Sequence, residues 1–119
     1  MEVEPLTPER VAARVCELAT DARAAVLLEA SGALAGSSEE DPERSTAFAE
    51  LAGDLLDAVD AAAPAAPPAQ VEALVERGAV YVVRTPEWTL AAVARRSALS
   101  SLMFYDLRTV LAELDADAA

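Results

Sequence analysis

The chain has 119 residues and a formal net charge of −12. This length suits one ordinary domain, and the acidic charge disfavours binding to nucleic acid or to anionic membranes. Apolar residues make up 54% of the chain, which excludes a disordered protein. Many of these residues are alanines, which bury little area, so the core depends on a smaller number of large side chains. Because such a core is thin, we expect a second apolar face to be buried against another subunit.

The sequence offers no cluster of residues for catalysis. It has no histidine, which excludes a histidine general base, a Ser–His or Cys–His nucleophile and a histidine metal site. Its four glycines do not form a phosphate-binding loop. Cys16 is the only cysteine and is best interpreted as a packed small hydrophobe. We therefore expect no enzyme activity, no cofactor and no metal ion.

The first third of the chain predicts one helix followed by two strands. The Thr7-Pro8 pair is typical of a helix start, and this helix is expected to end near Asp21. The apolar run from Ala24 to Ala30 predicts a strand that is covered on both faces or that lies between neighbouring strands. The Ser31-Gly32 pair predicts a tight turn into a short second strand, Ala33 to Ser37.

A second helix is predicted from Ser45 to Ala62, after a solvated acidic loop, with Ser45 as its N-cap. One side of this helix is a wide apolar stripe, which suits both a core contact and a second contact. The other side includes Asp54, Asp57 and Asp60, which we interpret as a solvated face and not as metal ligands. The prolines between Ala61 and Ala69 end the helix.

The second half of the chain predicts three strands and a final helix. The predicted strands are Val71 to Glu76, Ala79 to Arg84 and Trp88 to Ala94. Their short turns predict an antiparallel meander. The helix follows from Ala98, and Asp106 lies within its apolar arc, where a carboxylate needs a partner or a place at a rim. The tail, Asp115 to Ala119, is expected to fray.

These elements predict an α+β domain with a five-stranded antiparallel sheet and helices on both faces, in the order α-β-β-α-β-β-β-α. Residues 1–119 are expected to form one domain, with a core at about 9–114 and an acidic tail at 115–119. The acidic start, Met1 to Glu4, is unlike a signal peptide, and no apolar run is long enough to span a membrane. We therefore expect a cytoplasmic protein.

This order of elements resembles the roadblock family of small dimeric modules, which are related to dynein light chains and to regulators of Ras-like GTPases. The most specific parts of the resemblance are the turn Glu29 to Ala35 and the closing segment Leu99 to Arg108. The resemblance implies a homodimer interface on the second helix and the third strand. The implied interface residues are Phe48, Leu51, Ala52, Leu55, Val59, Val71, Ala73 and Val75.

The Arg95-Arg96 pair between the last strand and the last helix is a candidate contact for a GTPase. Ordinary ion pairs with the acidic surface are the alternative for these two side chains. The leading functional hypothesis is a non-enzymatic homodimer that regulates a small Ras-like GTPase by surface contact. The alternatives are a scaffold subunit without effect on nucleotide turnover and a small-molecule sensing domain. All nine basic residues are arginines, which indicates a GC-rich, bacterial genome.

Overall fold

The computed structural model describes residues 4–118. Residues 1–3, at the acidic start where no signal peptide is expected, and Ala119, the end of the predicted tail, lie outside the described residues. A 3-10 turn, Pro8–Arg10, leads into the first helix. The elements are α1 Val11–Leu18, β1 Ala22–Glu29, β2 Leu34–Ser37, α2 Pro42–Ala62, β3 Gln70–Val75, β4 Gly78–Arg84, β5 Trp88–Ala94 and α3 Ser100–Ala118.

The five strands form one sheet in the order β2-β1-β5-β4-β3, and each neighbouring pair is antiparallel. The continuous apolar run of β1 is buried on both faces, as predicted, and its Leu27 lies opposite Leu90 of β5. The turn from β1 to β2 contains Gly32 with φ +94°, in the left-handed region that glycine adopts without steric cost. The last three strands form the predicted meander.

Helices cover both faces of the sheet and create two apolar cores. On one face α1 and α3 pack over Leu27 and Leu90, with Leu107 of α3 fully buried. On the other face α2 packs through Phe48 over a core that includes Val26 of β1 and Val82 of β4. This arrangement confirms the predicted α+β class, the antiparallel sheet and the order of elements.

Helix α2 begins at Pro42, one turn earlier than predicted, so the prediction of Ser45 as its N-cap is wrong. The cap is Asp41, whose Oδ1 accepts a hydrogen bond from the Glu43 N–H at 3.0 Å. Pro42 fits the first helical position, where no backbone donor is needed. Ser45 is buried inside the helix, and its hydroxyl donates to Ser37 Oγ at 2.8 Å.

The acidic tail is helical, so the prediction that it frays is wrong for the residues that the structure describes. Helix α3 continues without a break to Ala118. The Asp117 Oδ2 atom accepts a hydrogen bond from the backbone N–H of Leu6 at 2.7 Å. This bond gives the last turn of α3 a tertiary partner, which the composition of the tail does not reveal.

Candidate interaction surfaces

Helix α2 crosses its face of the sheet and is bonded to the sheet near both ends. Near its N-terminus Ser45 is bonded to Ser37 of the edge strand β2. Near its C-terminus Asp60 accepts two hydrogen bonds from the guanidinium of Arg84 on β4, one of them at 2.9 Å. This hydrogen bonding lowers the pKa of Asp60. Asp60 is therefore a structural partner, and only Asp54 and Asp57 lie on the solvated face that was predicted.

The apolar stripe of α2 divides into a buried part and a part that reaches the surface. Phe48 and Ala52 are buried in the core under the helix. Leu55 and Val59 are half-buried and pack against that core. Leu51 is 49% exposed and points away from the sheet. Leu51, with the half-buried Leu55 and Val59, is therefore the part of the stripe that remains available for a second contact.

Strand β3 is an edge of the sheet, because within residues 4–118 it pairs only with β4. The three residues implied at an interface alternate along one side of this strand. Val71 is buried, Ala73 is half-buried and Val75 is 39% exposed. Leu74, on the opposite side, is 64% exposed. An unpaired strand edge presents backbone N–H and C=O groups that can extend the sheet with another chain.

Arg95 and Arg96 lie directly after β5, and both are exposed. The Arg95 N–H donates to the Asp21 carbonyl at 3.1 Å, which fixes the backbone of this segment. Neither guanidinium forms an ion pair with any residue between 4 and 118. The ion pairs considered as the alternative are therefore absent from this part of the chain.

Two further arginines lie at the same end of the sheet and were missed by sequence reasoning. Arg23 is the second residue of β1, and Arg77 lies in the turn between β3 and β4. The Arg23 Nη1 atom donates a hydrogen bond to the Arg77 carbonyl at 3.2 Å. We call Arg23, Arg77, Arg95 and Arg96 the basic end of the sheet. The antiparallel strand order could have revealed this group of arginines, because it places the start of β1, the end of β5 and the β3–β4 turn at the same end of the sheet.

The thiol of Cys16 has the environment that was predicted for a packing residue. Its side chain is half-buried against the core between the sheet and helices α1 and α3. Burial is the largest effect on this thiol and raises its pKa, while a hydrogen bond with Ser38 lowers it and the charge of Glu39 raises it again. A raised pKa reduces the thiolate fraction, so this environment disfavours nucleophilic reactivity.

Asp106 occupies a position that the sequence only partly predicted. It lies on the core-facing side of α3 and is 7% exposed. It also lines a small surface cavity between α1 and α3, which corresponds to the predicted place at a rim. Burial raises the pKa of this carboxyl group.

We predict that Asp106→Asn stabilises the protein at neutral pH. A carboxyl whose pKa is higher in the folded state binds protons more tightly there, so stability falls as pH rises from the unfolded pKa through the folded one. Asparagine keeps the shape and removes the buried charge. The expected result is a higher melting temperature at pH 7 and a smaller loss of stability between pH 4 and pH 7. A lower melting temperature at both pH values would contradict this prediction.

Other kinds of site find little support in residues 4–118. No group of three or more cysteine or acidic side chains there is arranged to hold a metal ion. A cavity of about 740 Å³ is open to solvent and lies between the segment Pro5–Pro8, Trp88 and the end of α3. None of the described helices is both long and apolar enough to cross a bilayer.

Comparison with solved structures identifies the fold. A Roadblock/LC7 domain from Streptomyces avermitilis superposes with a TM-score of 0.78 at 18% identity, covering 95% of this chain and 97% of that chain. The chain therefore has the Roadblock/LC7 fold that the sequence predicted.

The same comparison finds structures of MglB. MglB from Myxococcus xanthus gives a TM-score of 0.74 at 16% identity over 89% of each chain. The gliding protein MglB from Thermus thermophilus gives 0.73 at 20% identity over 98% of each chain. No family model matches the amino-acid sequence, and comparison with curated proteins gives no match.

Proposed function

We propose that the protein is a non-enzymatic homodimeric regulator or adaptor of a small Ras-like GTPase, acting in the cytoplasm by surface contact. The observation that supports this most is the likeness to MglB along almost the whole chain. The roadblock modules that the sequence resembles include regulators of Ras-like GTPases. Residues 4–118 present exposed apolar and basic surfaces and bring no nucleophile together with a base, which suits binding better than catalysis.

The proposed dimer uses helix α2 and the edge strand β3. In a two-fold dimer the same edge meets itself, and two copies of β3 then pair as antiparallel neighbours. This pairing satisfies the free backbone groups of the edge and turns two five-stranded sheets into one. It also brings Val75 and the exposed Leu51 of α2 into contact with a second copy. Ala73, Leu55 and Val59, which are half-buried in one chain, lose their remaining exposure in the same interface.

The basic end of the sheet is the proposed contact for the GTPase. A protein with a net charge of −12 repels an acidic partner over most of its surface, so a local group of arginines sets the orientation of approach. Switch loops of such GTPases are ordered by the γ-phosphate and Mg²⁺. A surface that binds the switch loops more tightly in one nucleotide state than in the other shifts the GTPase toward that state, and the difference in binding free energy sets the size of the shift.

Affinity for a Ras-like GTPase from the same genome, loaded with GDP or with a GTP analogue, tests this function. We expect a dimer that binds the GTP-analogue form at least tenfold more tightly, which corresponds to about 1.4 kcal/mol. Equal affinity for the two forms would contradict a regulatory role and leave the role of an adaptor. No binding to either form would remove the GTPase as a partner.

We predict that the double substitution Arg95→Ala and Arg96→Ala weakens this binding by about tenfold and reduces its salt dependence, because both guanidinium groups lack partners among the described side chains. Arg108→Ala is the matched control, since Arg108 is an exposed arginine of α3 that contacts Gln70 at the opposite end of the sheet. Calorimetric titration at two salt concentrations measures the effect. If GTP hydrolysis falls while affinity is unchanged, Arg95 or Arg96 acts on the nucleotide and not in docking.

A scaffold subunit is the second candidate function, and one observation favours it. Leu99, Leu102 and Tyr105 form an exposed apolar row along the start of α3, with 66%, 51% and 61% of each residue exposed. This row lies on the opposite side of the sheet from α2, so the proposed dimer leaves it open. A protein that joins two partners needs two separate surfaces of this kind.

A further inference from the structure

Asp106 is a buried carboxylate for which the described residues supply no partner. Among residues 4–118 no group donates a hydrogen bond to it, and no arginine forms an ion pair with it. No fully enclosed polar side-chain atom in this part of the chain lacks a hydrogen bond. The unpartnered oxygens of Asp106 must therefore reach open space, and the space beside them is the cavity between α1 and α3. Because an unpaired buried charge is costly, this carboxylate favours an incoming donor.

The cavity has a volume of about 160 Å³ and opens to the surface. We call it the α1–α3 notch. Its lining includes a second carboxylate, Asp21, and the side chain of Leu18 at the end of α1. Leu99 and Leu102 also line it, and both are more than half exposed, at 66% and 51%. The notch is therefore acidic inside and apolar at its mouth.

This combination restricts the chemistry of an occupant. An anion is repelled by two carboxylates. A calcium ion requires six to eight oxygen ligands, and a site with two carboxylates and leucines supplies too few. An arginine or lysine side chain matches the notch, because its apolar stem can lie on the leucines while its charged end reaches the carboxylate.

We propose that the α1–α3 notch binds a basic side chain of a protein partner, with Asp106 as the receiving carboxylate and Leu99 and Leu102 as the apolar rim. Arginine is one of the residue types enriched at the hot spots of protein interfaces, which lie in well-packed pockets that exclude water. The site lies on the α1–α3 side of the sheet, away from α2 and β3. It is thus separate from the proposed dimer interface. It adjoins the basic end, since the Asp21 carbonyl accepts the Arg95 N–H, but its carboxylates select a basic group where the exposed arginines select acidic ones.

Two capped tripeptides test this proposal on the full chain by NMR titration. The probe is acetyl-Leu-Arg-Leu-amide, and acetyl-Leu-Gln-Leu-amide is its neutral match. We expect saturable shifts at Asp21, Leu99, Leu102 and Asp106 with the arginine peptide, and binding at least tenfold weaker with the glutamine peptide. Equal binding of the two peptides, or no binding of the arginine peptide at millimolar concentration, would overturn the proposal.

Substitutions then separate a binding role from a structural one. Asp106→Asn should weaken binding of the arginine peptide at least tenfold and leave the melting temperature of the protein unchanged or higher. Asp57 is an exposed carboxylate of α2, so Asp57→Asn should change neither the peptide affinity nor the melting temperature. Leu99→Ala should weaken binding severalfold without loss of stability, because Leu99 is mostly exposed. Unchanged binding in Asp106→Asn would overturn the proposal, as would its destabilisation, since that result would mean the carboxylate already has a partner within the fold.

Discussion

Replacing Leu51 with aspartate is expected to convert the proposed dimer into folded monomers. Leu51 is 49% exposed in the single chain, so a charge there meets water and the monomer folds normally. In the dimer the same charge would be buried without a partner, which costs about 3–5 kcal/mol. Because each 1.4 kcal/mol is a factor of ten, the dissociation constant should rise by roughly 100-fold or more. Light scattering at micromolar concentration measures the change in mass.

The matched control is Leu99→Asp, which makes the same chemical change at an exposed leucine on the other side of the sheet. This variant should remain dimeric. Circular dichroism should show that both variants keep the native fold. A monomeric mass for the unmodified protein, or equal dissociation in both variants, would contradict the interface on α2 and β3.

Phe48→Ala is expected to lower the free energy of unfolding by about 3–5 kcal/mol. Phe48 is 9% exposed and belongs to the core between α2 and the sheet, so truncation leaves a cavity within one chain. Dimerisation also stabilises a fold by mass action. The measurement is therefore urea unfolding in the monomeric Leu51→Asp background.

Leu74→Ala in the same background is the control, because Leu74 is 64% exposed and its truncation should change stability by about 0.5 kcal/mol or less. If Phe48→Ala also had a small effect in the monomer and instead dissociated the dimer, Phe48 would be an interface residue. Phe48→Ala and Leu51→Asp together thus decide which part of the α2 stripe packs inward and which part faces a second copy.

The sequence predicted every helix and strand because each has a clear period or composition. The boundaries of β4 and β5 were within a residue or two, since Gly78 and Pro86 interrupt the pattern. The start of α2 was placed three residues late, although Asp41 followed by Pro42 is a good cap and first turn. Ser45 satisfied the same rule for a cap, and only its bond to Ser37 on another element shows its true role.

The surfaces were harder to predict, because they depend on what the fold brings together. A wide apolar stripe does not reveal that Phe48 faces the sheet while Leu51 faces outward. The basic end joins arginines more than 50 residues apart, such as Arg23 and Arg77. The notch at Asp106 exists only because the end of α1 approaches the start of α3. A periodic pattern within one helix or strand does not reveal which distant segments of the chain the fold brings together.

The bond between Leu6 and Asp117 also has a consequence for local unfolding. It joins residues 111 positions apart, so the entering segment and the last turn of α3 hold each other in place. Neither can open alone without breaking this bond, and Leu6 and Leu114 are both buried in the same core. Segments coupled in this way exchange their amide hydrogens as one cooperative unit. The two ends of the described chain should therefore share one protection factor, well above that of ordinary fraying termini.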